Sequence, residues 1–121
     1  ETKNTIDLQS VVDTHEQPFV IIDRNFTIVA VNRAYEQAYG STRDKMVGQH
    51  CYQISHQNDK PCSELGEDCP HQTVYQTGKS CSCMHIHYDT EGRAQQVRIN
   101  AYPLRDSAGE LYMGEAVKDL S

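Results

Sequence analysis

The sequence of 121 residues lacks long apolar runs and clusters of positive charge. No stretch approaches the roughly 18 apolar residues that cross a bilayer, and no signal-peptide pattern opens the chain. The 11 lysine and arginine residues are scattered singly among 17 acidic residues, which gives a formal net charge of -6. Because a nucleic-acid backbone is bound by clustered basic residues, we expect this chain to contact neither nucleic acid nor membrane. We expect a cytoplasmic location.

The sequence also lacks a recognisable catalytic motif. Ser41 and Ser55 have histidines nearby, but neither serine lies in a nucleophile motif. No set of nucleophile, base and orienting residue is visible, and we therefore predict that the chain is not an enzyme. Because the first residue is Glu1 and not methionine, we expect the chain to be part of a longer protein.

The length and hydrophobic content are those of one domain with a modest core. Hydrophobic residues make up 37% of the chain and occur in regular clusters, which argues against disorder. We assign residues 1–17 to an N-terminal helix and linker, and residues 18–121 to the main domain.

The N-terminal helix is predicted over residues 6–15. Leu8, Val11 and Val12 lie at helical intervals and form one apolar stripe, and Pro18 prevents the helix from continuing. Such a narrow stripe predicts a helix that either caps a sheet or pairs with a second copy of the chain.

Further short helices are predicted in the middle of the chain. Asn32 suits the N-cap of a helix that Gly40 ends, and residues 41–44 have the pattern of a capping box. Pro70 suits the first turn of another helix. Residues 50–68 show no periodicity and predict a loop.

Five segments rich in strand-forming residues and bounded by turns predict five strands. They lie near residues 19–23, 26–31, 81–89, 94–104 and 111–118. The order is therefore two strands, short helices, then three strands.

This order, together with several short motifs, resembles the PAS family from Leu8 to Ser121. The motifs are Phe19-Val20-Ile21-Ile22-Asp23, residues 28–35, Val47-Gly48-Gln49, Gly92 at a hairpin, residues 102–106 with Gly109-Glu110, and the closing Lys118-Asp119-Leu120-Ser121. The resemblance implies an α+β PAS fold, a five-stranded antiparallel sheet with short helices on one face that enclose a pocket, preceded by an amphipathic helix.

The resemblance also implies a function. PAS domains sense a ligand, a cofactor, redox state or a partner within larger proteins. We therefore expect the sensory input domain of a bacterial histidine kinase, diguanylate cyclase or transcription activator, present as a homodimer and covalently linked to its output domain. Because one fold carries many ligands, the ligand has to be argued from the site.

Cysteine and histidine are concentrated in the predicted loop. Cys51, His56, Cys62 and Cys69 lie in a segment with too little apolar content to order itself by packing, and ordering costs about 1 kcal/mol or more per residue. A tetrahedral metal site would supply that order. The stretch also resembles a cysteine-rich subgroup of PAS domains. We predict zinc or an iron–sulfur cluster on these four residues, with the histidine favouring zinc.

Two alternatives remain open for this loop. The thiols can be redox-active, with a reversible disulfide between Cys62 and Cys69, or they can be structural. With structural thiols, the domain would bind a small molecule in its pocket or act as a dimerisation module.

A second group of cysteines and histidines alternates along one predicted strand. Its members are Cys81, Cys83, His85 and His87. If Tyr88 pairs with Arg93, this group faces outward and Met84 and Ile86 face the core. A shift of one residue would reverse the two faces, and Cys83 would then become a reserve ligand for the loop site.

Overall fold

The computed structural model describes residues 8–55 and 70–120. Within these ranges the helices are α1 (Leu8–Asp13), α2 (Arg33–Tyr39), α3 (Arg43–Met46), α4 (Cys51–Ser55) and α5 (Pro70–Thr77). The strands are β1 (Phe19–Ile22), β2 (Ile28–Val31), β3 (Cys81–Tyr88), β4 (Ala94–Arg105) and β5 (Leu111–Asp119). None of these helices is long and apolar enough to cross a membrane.

The five strands form one antiparallel sheet in the order β2-β1-β5-β4-β3. The β1–β2 hairpin joins the β3–β4–β5 meander through pairing of β1 with β5, in which Val20 lies opposite Glu115. The predicted α+β class and five-stranded antiparallel sheet are therefore confirmed, with strand bounds within two residues of the prediction.

Asn32 directly follows β2 and links strand β1 to the start of helix α2. It is 3% exposed, and its side-chain oxygen accepts hydrogen bonds from the backbone amides of Tyr35 (2.9 Å) and Phe19 (3.0 Å). Its side-chain nitrogen donates to the carbonyls of His15 and Gln17. The predicted N-cap of α2 is confirmed, and the same side chain also fixes the segment between α1 and β1.

Both faces of the sheet are covered around β1. Val20 and Ile22 face the side that carries α2 to α5, which we call the inner face, and they belong to the larger core cluster. Phe19 and Ile21 face the opposite, outer side and pack with Val12 of α1. Because Val12 is fully buried there, α1 caps the sheet within its own chain, one of the two arrangements that its apolar stripe predicts.

Two details of the helical segment differ from the prediction. The expected capping box before α3 does not form, because the Glu36 carboxylate accepts the backbone amide hydrogen of Arg43 and the Thr42 side chain makes no cap bond. Helix α4 occupies the start of the predicted loop. There the Gln53 side chain accepts the backbone amide hydrogen of His50 (3.1 Å), which is half of a capping box.

The register of the β3–β4 hairpin differs by one residue from the prediction. Tyr88 pairs with Ala94, not with Arg93. The reason lies in the turn: the Asp89 amide donates to the Arg93 carbonyl, and the Gly92 amide donates to the Asp89 carbonyl (both 3.0 Å). Asp89 and Arg93 are therefore the last pair of the hairpin, and Gly92 takes the left-handed conformation (φ 77°) of a short bulged loop.

This register reverses the two faces of β3. The predicted outward orientation is wrong for the whole alternating group, which faces the core: Cys81, Cys83, His85 and His87. His85 and His87 are 4% and 2% exposed, whereas Met84 and Ile86 are 45% and 41% exposed. A turn of three residues instead of four accounts for the inversion, because successive strand residues point to opposite faces.

Candidate functional site

A cleft of about 340 Å³ lies between the end of α2 and the inner face of the sheet. Strands β3, β4 and β5, the end of α2 and the residue before β1 all contribute to it. Its lining residues are Pro18, Ala38, Tyr39, His87, Tyr88, Asp89, Gln95, Val97, Val117 and Asp119. The volume is at the lower end of the range found for small-molecule sites.

The pairing of the strands places the lining residues of the sheet next to one another. His87 lies opposite Gln95 on the β3–β4 pair, and Val97 lies opposite Asp119 on the β4–β5 pair. Asp119 is the last residue of β5, so the cleft reaches the end of the final strand.

The wall opposite the sheet is the last turn of α2. Gly40 ends this helix in the left-handed conformation (φ 67°), and a Cβ atom at Gly40 would lie 2.9 Å from Cγ2 of Thr90 in the hairpin turn. Glycine therefore allows the helix end to approach the β3–β4 hairpin, which brings Tyr39 against His87.

Tyr39 and His87 are in polar contact across the cleft, with the Tyr39 hydroxyl 2.5 Å from Nδ1 of His87. Burial raises the pKa of the Tyr39 phenol well above its ordinary value, and the negative charges of Glu115 and Asp119 raise it further. The phenol therefore keeps its proton at neutral pH. With a neutral imidazole, Tyr39 donates to Nδ1 and the ring proton lies on Nε2.

The charge around the cleft is negative. Glu115, 7% exposed, lies on the inner face opposite Val20, and Asp119 lines the cleft. Asp89 also lines it, but its carboxylate accepts hydrogen bonds from the backbone amides of Glu91 and Arg93 (both 2.9 Å). The hydrogen bond from the Arg93 amide is the main reason that the pKa of Asp89 lies below its ordinary value.

The structure describes one of the four predicted metal ligands, Cys51. Cys51 is the first residue of α4, half-buried against the inner core. His56, Cys62 and Cys69 lie outside the described residues. Within residues 8–55 and 70–120, no three histidine, cysteine, aspartate or glutamate side chains are grouped so that they could hold a metal ion. Cys83, the reserve ligand, faces the inner core and packs against the same cluster as Cys51.

Phe26 connects the two described segments that border residues 56–69. Its carbonyl accepts the amide hydrogen of Cys51 (2.9 Å), and its ring stacks on His71 of α5 with centroids 4.0 Å apart. His71 is 5% exposed, and its Nε2 lies 2.7 Å from the carbonyl oxygen of Asp23. Burial lowers the pKa of His71 below its ordinary value. Phe26 makes these contacts with a φ of 65°, which is uncommon for a side chain of its size.

The resemblance implied a pocket, but the sequence did not predict which residues line it, because His87 was expected on the outer surface. One signal for the correct face is present in the chain: Asp89 followed by Gly92 is typical of a turn in which the aspartate accepts the following amides and pairs across the hairpin. No local signal pairs Tyr39 with His87, because the two residues lie 48 positions apart.

An antiparallel sheet of this strand order, with short helices enclosing a cleft on one face, defines a small α+β domain. A family model described as "PAS fold" matches residues 12–120. The chain therefore belongs to the PAS-fold family. PAS domains are generally sensory, non-catalytic modules of signalling proteins. No curated protein matches the chain in sequence.

Solved structures show the same fold at low sequence identity. The PAS domain of nitrogen regulation protein NR(II) from Vibrio parahaemolyticus is similar with a TM-score of 0.72 and 15% identity, covering 95% of this chain and all (100%) of that chain. The PAS domain of an HTR-like protein from Haloarcula marismortui has a TM-score of 0.70 and 15% identity, covering 93% and 88%. A LOV protein from Rhodobacter sphaeroides has a TM-score of 0.71 and 13% identity, covering 93% and 64%.

Proposed function

We propose that this chain is the sensory input domain of a larger signalling protein, and that it detects a small molecule held in the cleft between α2 and the sheet. The observation that carries the proposal is the composition of the cleft: the half-buried Tyr39 in contact with the buried His87, an apolar floor that includes Val97 and Val117, and Asp119 at the end of the last strand. Convergent polar groups in an apolar cleft are typical of ligand sites.

The position of Asp119 suggests how binding would reach an output domain. A ligand that contacts Asp119 would change the hydrogen bonding of the last residue of β5, next to Leu120, whose amide donates to the Gln96 carbonyl (3.0 Å). A ligand shifts a conformational equilibrium only by its difference in affinity for the two states. A ligand that contacts the end of β5 would have such a difference in affinity for two states that differ in the conformation of this strand end.

A thermal-shift screen of small neutral, cationic and anionic compounds tests this function. We expect stabilising compounds whose effect is reduced in Tyr39→Phe, which lacks only the hydroxyl that reaches His87. Tyr102→Phe is the matched control, because Tyr102 lies on the outer face and is 41% exposed. Compounds that stabilise both variants equally, or a screen without any stabilising compound, would contradict the proposal.

A second candidate function is redox or metal sensing through Cys51, His56, Cys62 and Cys69, with zinc or an iron–sulfur cluster as the bound group. Two observations on described residues favour it. Cys51 is held by the Phe26 carbonyl, and His71, two positions after Cys69, stacks on the same Phe26 ring. Both segments that flank residues 56–69 contact Phe26. A metal site between them would therefore have to offset a smaller loss of conformational entropy.

Metal analysis of anaerobically purified protein tests this second candidate. One zinc per chain, or the brown colour of a cluster, should be lost in Cys62→Ser and retained in Cys81→Ser, a control cysteine on β3. Protein that contains neither metal nor cluster would exclude the site and favour structural thiols.

The proposal includes the domain bounds, the assembly and the linked output domain. We propose that residues 1–17 form the N-terminal helix and linker of a PAS sensor domain that spans residues 18–121. The domain would act as a cytoplasmic homodimer, linked to a histidine kinase, diguanylate cyclase or transcription activator. Light scattering of the chain and of Val11→Asp tests the assembly: a monomer unaffected by the substitution would exclude a dimer through α1.

A further inference from the structure

We propose that the outer face of the sheet, on the side of β3, is a docking surface for an acidic amphipathic helix of a partner protein. The surface consists of two rows of residues that run across β3, β4 and the end of β5, and we call it the outer patch. One row is Met84, Arg98 and Lys118, and the other is Ile86, Gln96 and Leu120. All six residues are exposed, and they lie on the face opposite the cleft.

Exposed apolar side chains are concentrated on this face. Five large hydrophobic residues are exposed in the part of the chain that the structure describes, and Met84, Ile86 and Leu120 of the outer patch are three of them. Tyr102 is a fourth, further along the same face of β4. Single exposed apolar residues are normal on a protein surface, whereas a group of neighbouring ones is typical of a surface that binds another protein.

The charge of the outer patch is positive, in a chain whose formal net charge is -6. Arg98 lies directly opposite Lys118 on the β4–β5 pair, and like charges in this position destabilise a sheet. Within residues 8–55 and 70–120 neither side chain forms an ion pair or a hydrogen bond. The residues that face outward from β3, β4 and β5 include no carboxylate. An acidic partner would therefore supply the charge that this face lacks.

The width of the outer patch and the neighbouring helix α1 favour a helix as the docking element. Adjacent strands lie about 4.8 Å apart, so β3 and β5 are separated by about 10 Å, which is about the diameter of an α-helix with its side chains. Helix α1 already covers the β1 side of the same face, where its Val12 is buried with Phe19 and Ile21. Because Val12 is engaged within its own chain, α1 of a second copy lacks its main apolar residue for the patch.

Two basic residues favour a protein helix over a lipid or nucleic-acid surface. A basic residue near an anionic bilayer contributes only about 1 kcal/mol, and binding to a nucleic-acid backbone needs more phosphate contacts than Arg98 and Lys118 can make. An amphipathic helix needs only these two charges, because its apolar stripe contacts Met84, Ile86 and Leu120 while its acidic side chains reach the two basic groups.

Two amphipathic peptides of about 18 residues test the proposal. Both carry a stripe of leucines on an alanine helix, and the remaining positions hold glutamate in one peptide and lysine in the other. Amide shifts of the whole chain in an NMR titration measure their binding. We expect the glutamate peptide to bind about fivefold more tightly than the lysine peptide, the size expected for two exposed ion pairs. The double variant Arg98→Glu/Lys118→Glu should invert this order.

Two further variants separate charge at the outer patch from other effects. Arg33→Glu/Lys45→Glu makes the same change of net charge at exposed positions on α2 and α3, and it should keep the original order of the two peptides. Ile86→Thr removes apolar surface from the patch without changing its charge, so it should weaken both peptides alike.

The remaining outcomes contradict the proposal. Tighter binding of the lysine peptide, an order that Arg98→Glu/Lys118→Glu leaves unchanged, shifts confined to other surfaces, or binding of neither peptide would overturn it. Vesicles of phosphatidylcholine and phosphatidylserine that sediment with the chain but not with this double variant would assign the patch to a membrane. A dimer in light scattering that the double variant dissociates would assign it to a second copy. None of these results bears on the cleft, which the Tyr39→Phe screen tests separately.

Discussion

The hydroxyl of Tyr39 lies 2.5 Å from Nδ1 of His87 and joins helix α2 to the edge strand β3 across the cleft. His87 is 2% exposed, so hydrogen bonds to its Nδ1 have to come from groups of the protein and not from water. Removing the partner of a buried polar group costs more than the hydrogen bond contributes, because the group that remains stays desolvated.

Tyr39→Phe should therefore lower the free energy of unfolding by about 1–3 kcal/mol, measured by urea denaturation. Tyr102→Phe removes the same atom from an exposed side chain and should change stability by less than about 0.5 kcal/mol. Equal effects of the two substitutions would mean that the Tyr39 hydroxyl contributes nothing through His87.

The stability of the protein should depend on pH through His71. Burial lowers the pKa of His71 in the folded state below its ordinary value of 6.5, so the unfolded chain binds a proton at higher pH than the folded protein does. The stability that this histidine contributes is therefore full above about pH 6.5 and is lost as the pH falls through the folded pKa.

Urea midpoints at about pH 7.5 and about pH 5.5 measure this dependence. His71→Phe keeps a ring that can stack on Phe26 but cannot titrate, so the difference between the two midpoints should shrink in the variant. An unchanged difference would show that other groups cause the pH dependence.

Gly114 allows the outer face of the sheet to pack. A Cβ atom there would lie 2.7 Å from Cδ1 of Leu104 and 2.8 Å from Cζ of Phe19. Gly114→Ala should therefore destabilise the protein by about 1–3 kcal/mol, the usual cost of overpacking. Phe19→Leu provides the control, because the added methyl group should cost less when the ring is shortened, and a double-mutant cycle measures the difference. Strict additivity would contradict the contact.

The register of β3 can be checked with one substitution at two positions. Ile86 is 41% exposed and Ile99 is fully buried. Ile86→Thr should change stability by less than about 0.5 kcal/mol, whereas Ile99→Thr should cost about 2 kcal/mol or more, because it removes buried apolar surface and buries a hydroxyl. A large cost at Ile86 would support instead the register expected from the sequence, in which Tyr88 pairs with Arg93 and Ile86 faces the core.

Local signals predicted most of the fold. Asn32, Gly40 and Pro70 each mark a helix end through the conformation or hydrogen bond that the residue itself provides, and all three lie where the sequence places them. The antiparallel pairing of five strands in one sheet was implied by the family resemblance, because no short segment of sequence contains long-range pairing. Helix α4 was missed because its cap depends on Gln53, a weaker signal than serine or aspartate.

The site was less predictable than the fold. A change of one residue in the length of the turn at Asp89 moves His87 from the surface to the core, and the sequence pattern alone permitted both lengths. The contact with Tyr39 depends in addition on how close α2 approaches the hairpin, which Gly40 and Thr90 determine. These features depend on tertiary packing. Composition and spacing could therefore suggest the types of residue in the site but not that these residues come together.

The most direct test of the cleft as a sensory site is an NMR titration with the compound that most raises the melting temperature in the thermal-shift screen. We expect the largest amide shifts at Tyr39, His87 and Asp119, and we expect them to disappear in Ala38→Leu, which fills the cleft. Ala94→Leu, at an exposed position, should leave them unchanged. Shifts confined to the outer face around Met84, or a titration that Ala38→Leu does not alter, would contradict the account.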